Sequence, residues 1–229
     1  MLRRLALRTA LRDAMRTAPV TSAYLLVLVV TTWVLQTTSA RISNRLLLEQ
    51  STNLHHLARD PIRVLIGSAL WLSTGWELVV WAALFPFVLA SVERRLGSGR
   101  TTLVFAAGHI GATLLTAAGL WVALQIDLVE RSVVNARDVG PSYGFFAVAA
   151  LMAAFVDRRL RAFYVAGLVV LLAVTLAVSQ SFTDVGHLLA LLIGFACLPL
   201  TKGVQSPWSP VGERLLKLAR RRVDATVST

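Results

Sequence analysis

The sequence is short of acid, nearly free of cysteine, and holds no polar stretch long enough to fold as a water-soluble domain. Twelve Asp and Glu stand against 23 Lys and Arg. A basic excess could mark a nucleic-acid binder, but here the cations sit in short clusters between apolar runs. That is the pattern of membrane topology signals, not of a phosphate-binding face, so nucleic acid is excluded as a partner. The single cysteine, Cys197, lies in the last apolar run, and no intramolecular disulfide can form. His55 and His56 are adjacent in a loop, a poor geometry for binding one metal without further ligands, and are expected at the membrane interface. No metal and no organic cofactor is expected. The apolar runs also lack a mid-membrane charge pair and a matching inverted half, which argues against a transporter.

What the chain has is apolar surface. Of its 229 residues 56% are hydrophobic and mean hydropathy is +0.67, more than a soluble domain of this length could bury, so lipid must be the solvent for most of it. The expected fold is an all-α membrane protein with six transmembrane helices. The runs fall at about 20–35, 65–92, 102–126, 141–156, 163–178 and 185–200. The second has a break near Ser73, Thr74 and Gly75, and Pro86 is placed to kink it. The fourth and sixth are short for a hydrocarbon core of about 30 Å and need shelter from longer neighbours or a thinned bilayer.

Thr38 and Ala40 faintly resemble a signal-peptide cleavage site after the first run, but a retained first membrane helix is the preferred reading. Residues 41–62, with Leu46, Leu47 and Leu48 among charges, are too apolar for a free coil and too broken to span; they are expected in the outer interface. Only Arg41, Arg45, Arg59, Arg63, Arg131 and Arg137 fall on that outer side. The other Lys and Arg lie at the termini and in the 93–100 and 157–162 loops, so both termini are expected in the cytoplasm. The chain thus divides into a basic N-terminus (1–19), a membrane domain (20–200) and a basic tail (201–229). Residues 211–223 of the tail suit a helix lying on anionic lipid.

Six spans bring the starts of the fourth and sixth runs to one depth on the outer side, and with them Ser142 and His187. A hydroxyl becomes a nucleophile when a base is within hydrogen-bond reach, and neutral imidazole is the usual one. Ala190 and Gly194 recur on the His187 side of the sixth helix, leaving a smooth strip for the fourth, with Gly140 and Gly144 on its own side. Phe146, one turn after Ser142, is placed to stack beneath the imidazole. The competing reading is that Ser142 caps its helix and His187 bonds a neighbouring one. His109 is expected to pack or to bond between helices. Asp138 and Asp184, each before Val-Gly, are expected as helix caps, either within possible reach of His187.

At these residues, over about 60–200, the sequence resembles the rhomboid family of intramembrane serine proteases. The most specific match is residues 92–100, Val-Glu-Arg-Arg-Leu-Gly-Ser-Gly-Arg, after the second helix; Pro61 and Arg63 resemble the approach to that helix, with Ile62 where the family has Trp. The resemblance implies a six-helix core of a divergent bacterial type in the plasma membrane, with Ser142 as nucleophile, His187 as general base and Phe146 as its supporting ring. Its Gly-X-Ser-Gly motif is altered here, since Tyr143 follows the serine and the glycine is delayed to Gly144. The family's oxyanion-binding His-X-X-X-Asn is replaced by Glu77 and Trp81.

A carboxylate cannot donate to an oxyanion unless protonated, whereas an indole N–H can. Glu77 has three readings: orienting His187 as a third member, holding it as an imidazolium and silencing it, or snorkelling to water or Arg63. The expected activity is cleavage of membrane-anchored proteins near the outer face. The alternative is a pseudoprotease that binds or chaperones transmembrane helices as clients without cutting them.

Overall fold

The computed structural model describes residues 13–204. The first twelve residues and the tail from 205, including the expected lipid-surface helix at 211–223, lie outside the described residues. All regular elements among the described residues are helices. We number the α-helices α1 (Pro19–Thr37), α2 (Ala40–Glu49), α3 (Leu54–Arg59), α4 (Pro61–Gly67), α5 (Gly75–Phe87), α6 (Leu89–Leu96), α7 (Ser98–Gln125), α8 (Ser142–Met152), α9 (Arg158–Ser179) and α10 (Phe182–Ala196). Short 3₁₀ turns follow α4 at Ser68–Leu70 and α8 at Ala153–Phe155.

Local chemistry sets most boundaries. Pro61 and Pro19 each open a helix where a missing N–H costs nothing. Thr74 caps α5 by accepting from the Glu77 backbone, and Pro86 ends its regular course, so that α6 restarts at Leu89. Gly97, at φ +86°, turns the chain from α6 into α7. Asp157 caps α9 five residues earlier than the apolar run at 163 suggested, drawing Arg158, Arg159 and Arg161 into the helix.

Residues 41–62 fold as α2, α3 and the start of α4. Arg41, Asn44 and Arg45 lie exposed on α2 while Leu47 is buried, as an interfacial helix requires. His55 and His56 pack edge to face on α3, and among the described residues no cluster of His, Cys, Asp and Glu could hold a metal.

Among the described residues four segments are long and apolar enough to cross a membrane: α1, α5 with α6, α7 and α9. The 28 residues of α7 reach roughly 42 Å at 1.5 Å per residue, whereas α8 with 11 reaches about 16 Å. The short helix is the one in the middle. From Tyr143 to Leu151 only Phe146 is not buried, and α8 packs closely on both α7 and α10. Phe85, Val92, Val104, Phe145, Val148 and Leu151 form the main core around it. α9 lies outside, against α10, with Phe163, Val170, Val174 and Val178 exposed, a surface that only hydrocarbon would solvate.

Buried Glu93 ties the long helices together. Its carboxylate accepts from Val20 N–H and Thr21 N–H at 2.8 Å, from the Thr21 hydroxyl at 2.6 Å and from the Ser98 hydroxyl at 2.7 Å. It therefore caps α1 from α6, an anion at the positive end of a helix dipole.

Candidate active site

The approach to Ser142 is built by residues far away in sequence. Ser51 and Thr52, both buried between α2 and α3, grip the strand of chain ahead of α8. Thr52 N–H donates to the Asp138 carbonyl at 3.1 Å, Asp138 N–H donates to Ser51 Oγ at 2.7 Å, and Gly140 N–H donates to the Ser68 carbonyl at 2.8 Å. Gly140 then turns at φ +129°, a conformation other residues avoid, and Pro141 leads into Ser142 at the first position of α8.

Two expectations change here. Asp138 caps no helix: its Oδ2 accepts from Thr52 Oγ1 at 3.2 Å and from the Tyr143 hydroxyl at 3.1 Å, joining the link between α2 and α3 to α8. Burial pushes its carboxyl up to about 6, and the bonds from Tyr143 and Thr52 only partly offset that. Nor does Gly140 serve close packing, since a Cβ there would meet nothing within 4 Å; its use is the turn.

α10 meets α8 along Gly186, Ala190 and Gly194. A Cβ at Gly194 would run into the Ala147 backbone, and Ala190 is fully buried beside Tyr143 and Ala112. Gly144, expected on this seam, instead backs onto the Phe105 ring of α7. Contact along the seam brings Phe146 to His187, ring centroids 4.9 Å apart at 55°, and Tyr143 to the same ring at 5.4 Å and 73°. Ser142 lies one turn before Phe146, on the same side of α8. His187 Nε2 is buried without a hydrogen-bond partner, so in this state it is not bonded to the serine.

The carboxylate beside His187 is Asp184, whose Oδ1 is 3.8 Å from Nδ1. Glu77 is turned to its own helix end, accepting from Ser73 N–H at 3.3 Å and Thr74 Oγ1 at 3.2 Å, while Arg63 pairs with Asp60 at 2.8 Å. None of its hydrogen bonds reaches His187 or Arg63. Trp81 packs into the core, its ring 5.2 Å from Phe145 and 5.5 Å from Phe85. His109 bonds Ser68 between helices, Nε2 to Oγ 3.1 Å, as expected of a buried histidine.

At the start of α8 no side chain caps the helix, and the first intrahelical bond runs from Phe145 N–H to the Pro141 carbonyl. The N–H groups of Ser142, Tyr143 and Gly144 are therefore without intrahelical acceptors, close to the serine hydroxyl. Such groups can hold an anion. Sequence reasoning did not find the role of Tyr143, whose only signal was its departure from the family's glycine. An apolar cavity of about 450 Å³ opens elsewhere, between α1, α4 and α7, and includes neither Ser142 nor His187.

Comparisons with curated proteins and with solved structures find no match. A family model described as rhomboid-like protein matches residues 13–207, most of the chain, and on that match the protein belongs to the rhomboid-like family.

Proposed function

We propose that the protein is an intramembrane serine protease that cleaves membrane-anchored proteins near the outer face. The observation that carries this reading is the α8–α10 seam, which sets Phe146 against His187, leaves Nε2 unpaired and puts Ser142 one turn away on the same side. In the reaction Ser142 Oγ attacks the scissile carbonyl while His187 Nε2 takes its proton. The imidazolium then gives that proton to the leaving amine, and water activated by the same ring releases the acyl group. The open N–H groups at the start of α8 would hold the oxyanion, in place of the family's side-chain donors. Lacking one such donor typically costs on the order of 100- to 1000-fold in rate, so slow turnover is expected.

The topology proposed with it has six spans, α1, α5–α6, α7, α8 with its 3₁₀ tail, α9 and α10, and both termini in the cytoplasm. The bias of Lys and Arg supports this orientation. Ser142 and His187 then open to the outer side beneath residues 41–62, and water enters there.

The test is labelling of the detergent-purified protein by a fluorophosphonate. Wild type should label, while Ser142→Ala and His187→Ala should not. A specific observation favours a second reading: Glu77 and Trp81 are both engaged away from the site, which suits a pseudoprotease that binds transmembrane helices. No labelling of wild type, alongside a labelled control protease, would move the assignment to that binder.

A further inference from the structure

Asp184 does two things with two oxygens. Its Oδ2 serves the turn between α9 and α10, accepting from the Ser179 hydroxyl and from Ser181 N–H at 3.3 Å, the latter half of a capping box with Ser181. Its Oδ1 is left facing His187 Nδ1 across 3.8 Å. The two residues are three apart on α10 and share a face, and the side chains are only 10% and 16% exposed. With Oδ2 bonded to the turn, Oδ1 is the oxygen left on the side of the ring. The other faces of the imidazole are covered by Phe146 and Tyr143, neither of which offers a carboxylate.

We propose that Asp184 is the positioning residue of the site, holding the proton of neutral His187 on Nδ1 so that the Nε2 lone pair faces the serine. The inference rests on the hydrolase reading. At 3.8 Å the contact is longer than a hydrogen bond and has to close by about 1 Å, as catalytic contacts often do when substrate binds. When Nε2 accepts the Ser142 proton, the ring becomes an imidazolium bearing a proton on each nitrogen, and the Asp184 carboxylate lies against the charge thus formed. The carboxylate keeps its charge throughout. A helix cap alone needs only Oδ2; the outlook of Oδ1 on Nδ1 is what a cap leaves unexplained.

The experiment pairs two readouts on the full chain in detergent: the fluorophosphonate labelling rate, and the nitrogen chemical shifts of ¹⁵N-labelled histidine, with His187 assigned from a His187→Gln sample. In wild type at neutral pH, Nδ1 should carry the proton. Asp184→Asn should slow labelling by on the order of 10-fold or more and shift the proton toward Nε2. Ser181→Ala weakens the same cap yet keeps the carboxylate, and should leave both the rate and the tautomer near wild type. A wild-type ring protonated on Nε2, or an Asp184→Asn rate unchanged where wild type labels, overturns the role of Asp184 alone. Equal slowing in Asp184→Asn and Ser181→Ala overturns it too, reducing the residue to a cap. A wild type that never labels overturns the hydrolase reading beneath it.

Discussion

The Tyr143 ring occupies the space where a side chain at Gly186 would have to go, so closely that even a methyl group there would collide with the phenol. The bulky residue that breaks the rhomboid serine motif on α8 is thus matched by a missing side chain on α10. Its ring lies edge-on to His187 and its hydroxyl reaches Asp138, so one side chain links the segment ahead of α8, α8 itself and the His187 ring on α10.

Because the two positions share one volume, their substitutions should not add. Gly186→Val is expected to destabilise by about 1–3 kcal/mol through overpacking, and Tyr143→Ala by about 3–5 kcal/mol through an empty cavity. The double variant should recover part of the sum, since the valine would enter the vacated space. Equilibrium unfolding in mixed micelles measures all three, and a strictly additive pair would contradict the shared volume.

Glu93 should be among the costliest polar residues to replace. Glu93→Ala removes the acceptor for four donors on α1 and at the start of α7, two of them backbone N–H groups. Unmade bonds to a buried charge cost about 1.5–3 kcal/mol each when unreplaced, tempered by what water can reach, so a loss on the order of 3 kcal/mol is expected. Glu93→Gln keeps one oxygen and should lose less. The same unfolding assay checks this, and a change under about 0.5 kcal/mol for the alanine variant would count against the anchoring role.

The legible parts of the sequence were those written in hydrophobicity and short spacing. The apolar runs gave the four described helical segments long and apolar enough to cross a membrane, the strip of Ala190 and Gly194 gave the seam on α10, and the interval from Ser142 to Phe146 gave the ring beside His187. What could not be read depended on contacts across the chain. Asp138 looked like a cap because Asp before a helix often is, but its partners Ser51 and Thr52 lie 86 or so residues away. Gly144 sits on a helix buried all round, so periodicity could not say whether it faced α10 or α7. Glu77 matched a catalytic position in register, yet its carboxylate found closer donors one turn back at Ser73 and Thr74.

Asp138 should give stability a pH dependence of defined sign. Burial pushes its carboxyl up from the ordinary 3.8 to about 6, so the folded state holds the proton more tightly. Between those two values the folded state carries more bound proton, and stability falls as pH rises from about 4 to 6, then levels off. Asp138→Asn is neutral throughout and should lack that component. Thermal unfolding midpoints of wild type and variant, compared from pH 4 to 7, isolate it from the other carboxylates; parallel curves over that window would refute the assignment.

Glu77 gives the sharpest contrast between register and geometry. If its carboxylate belongs to the α5 cap, Glu77→Gln should change fluorophosphonate labelling of Ser142 by less than about 3-fold, because the amide oxygen still accepts from Ser73 N–H and His187 loses no neighbour. Thr74→Ala, which removes the hydroxyl that Glu77 N–H donates to, should cost about 1 kcal/mol of stability and likewise spare the labelling. A rise of 10-fold or more on Glu77→Gln would instead mean that the glutamate holds His187 as an imidazolium and suppresses it as a base. A comparable fall would make Glu77, and not Asp184, the acid that orients the ring. Measuring Glu77→Gln beside Asp184→Asn in the same preparation therefore decides which of the two carboxylates acts on His187, since only the one in contact with the imidazole can move the reactivity of the serine.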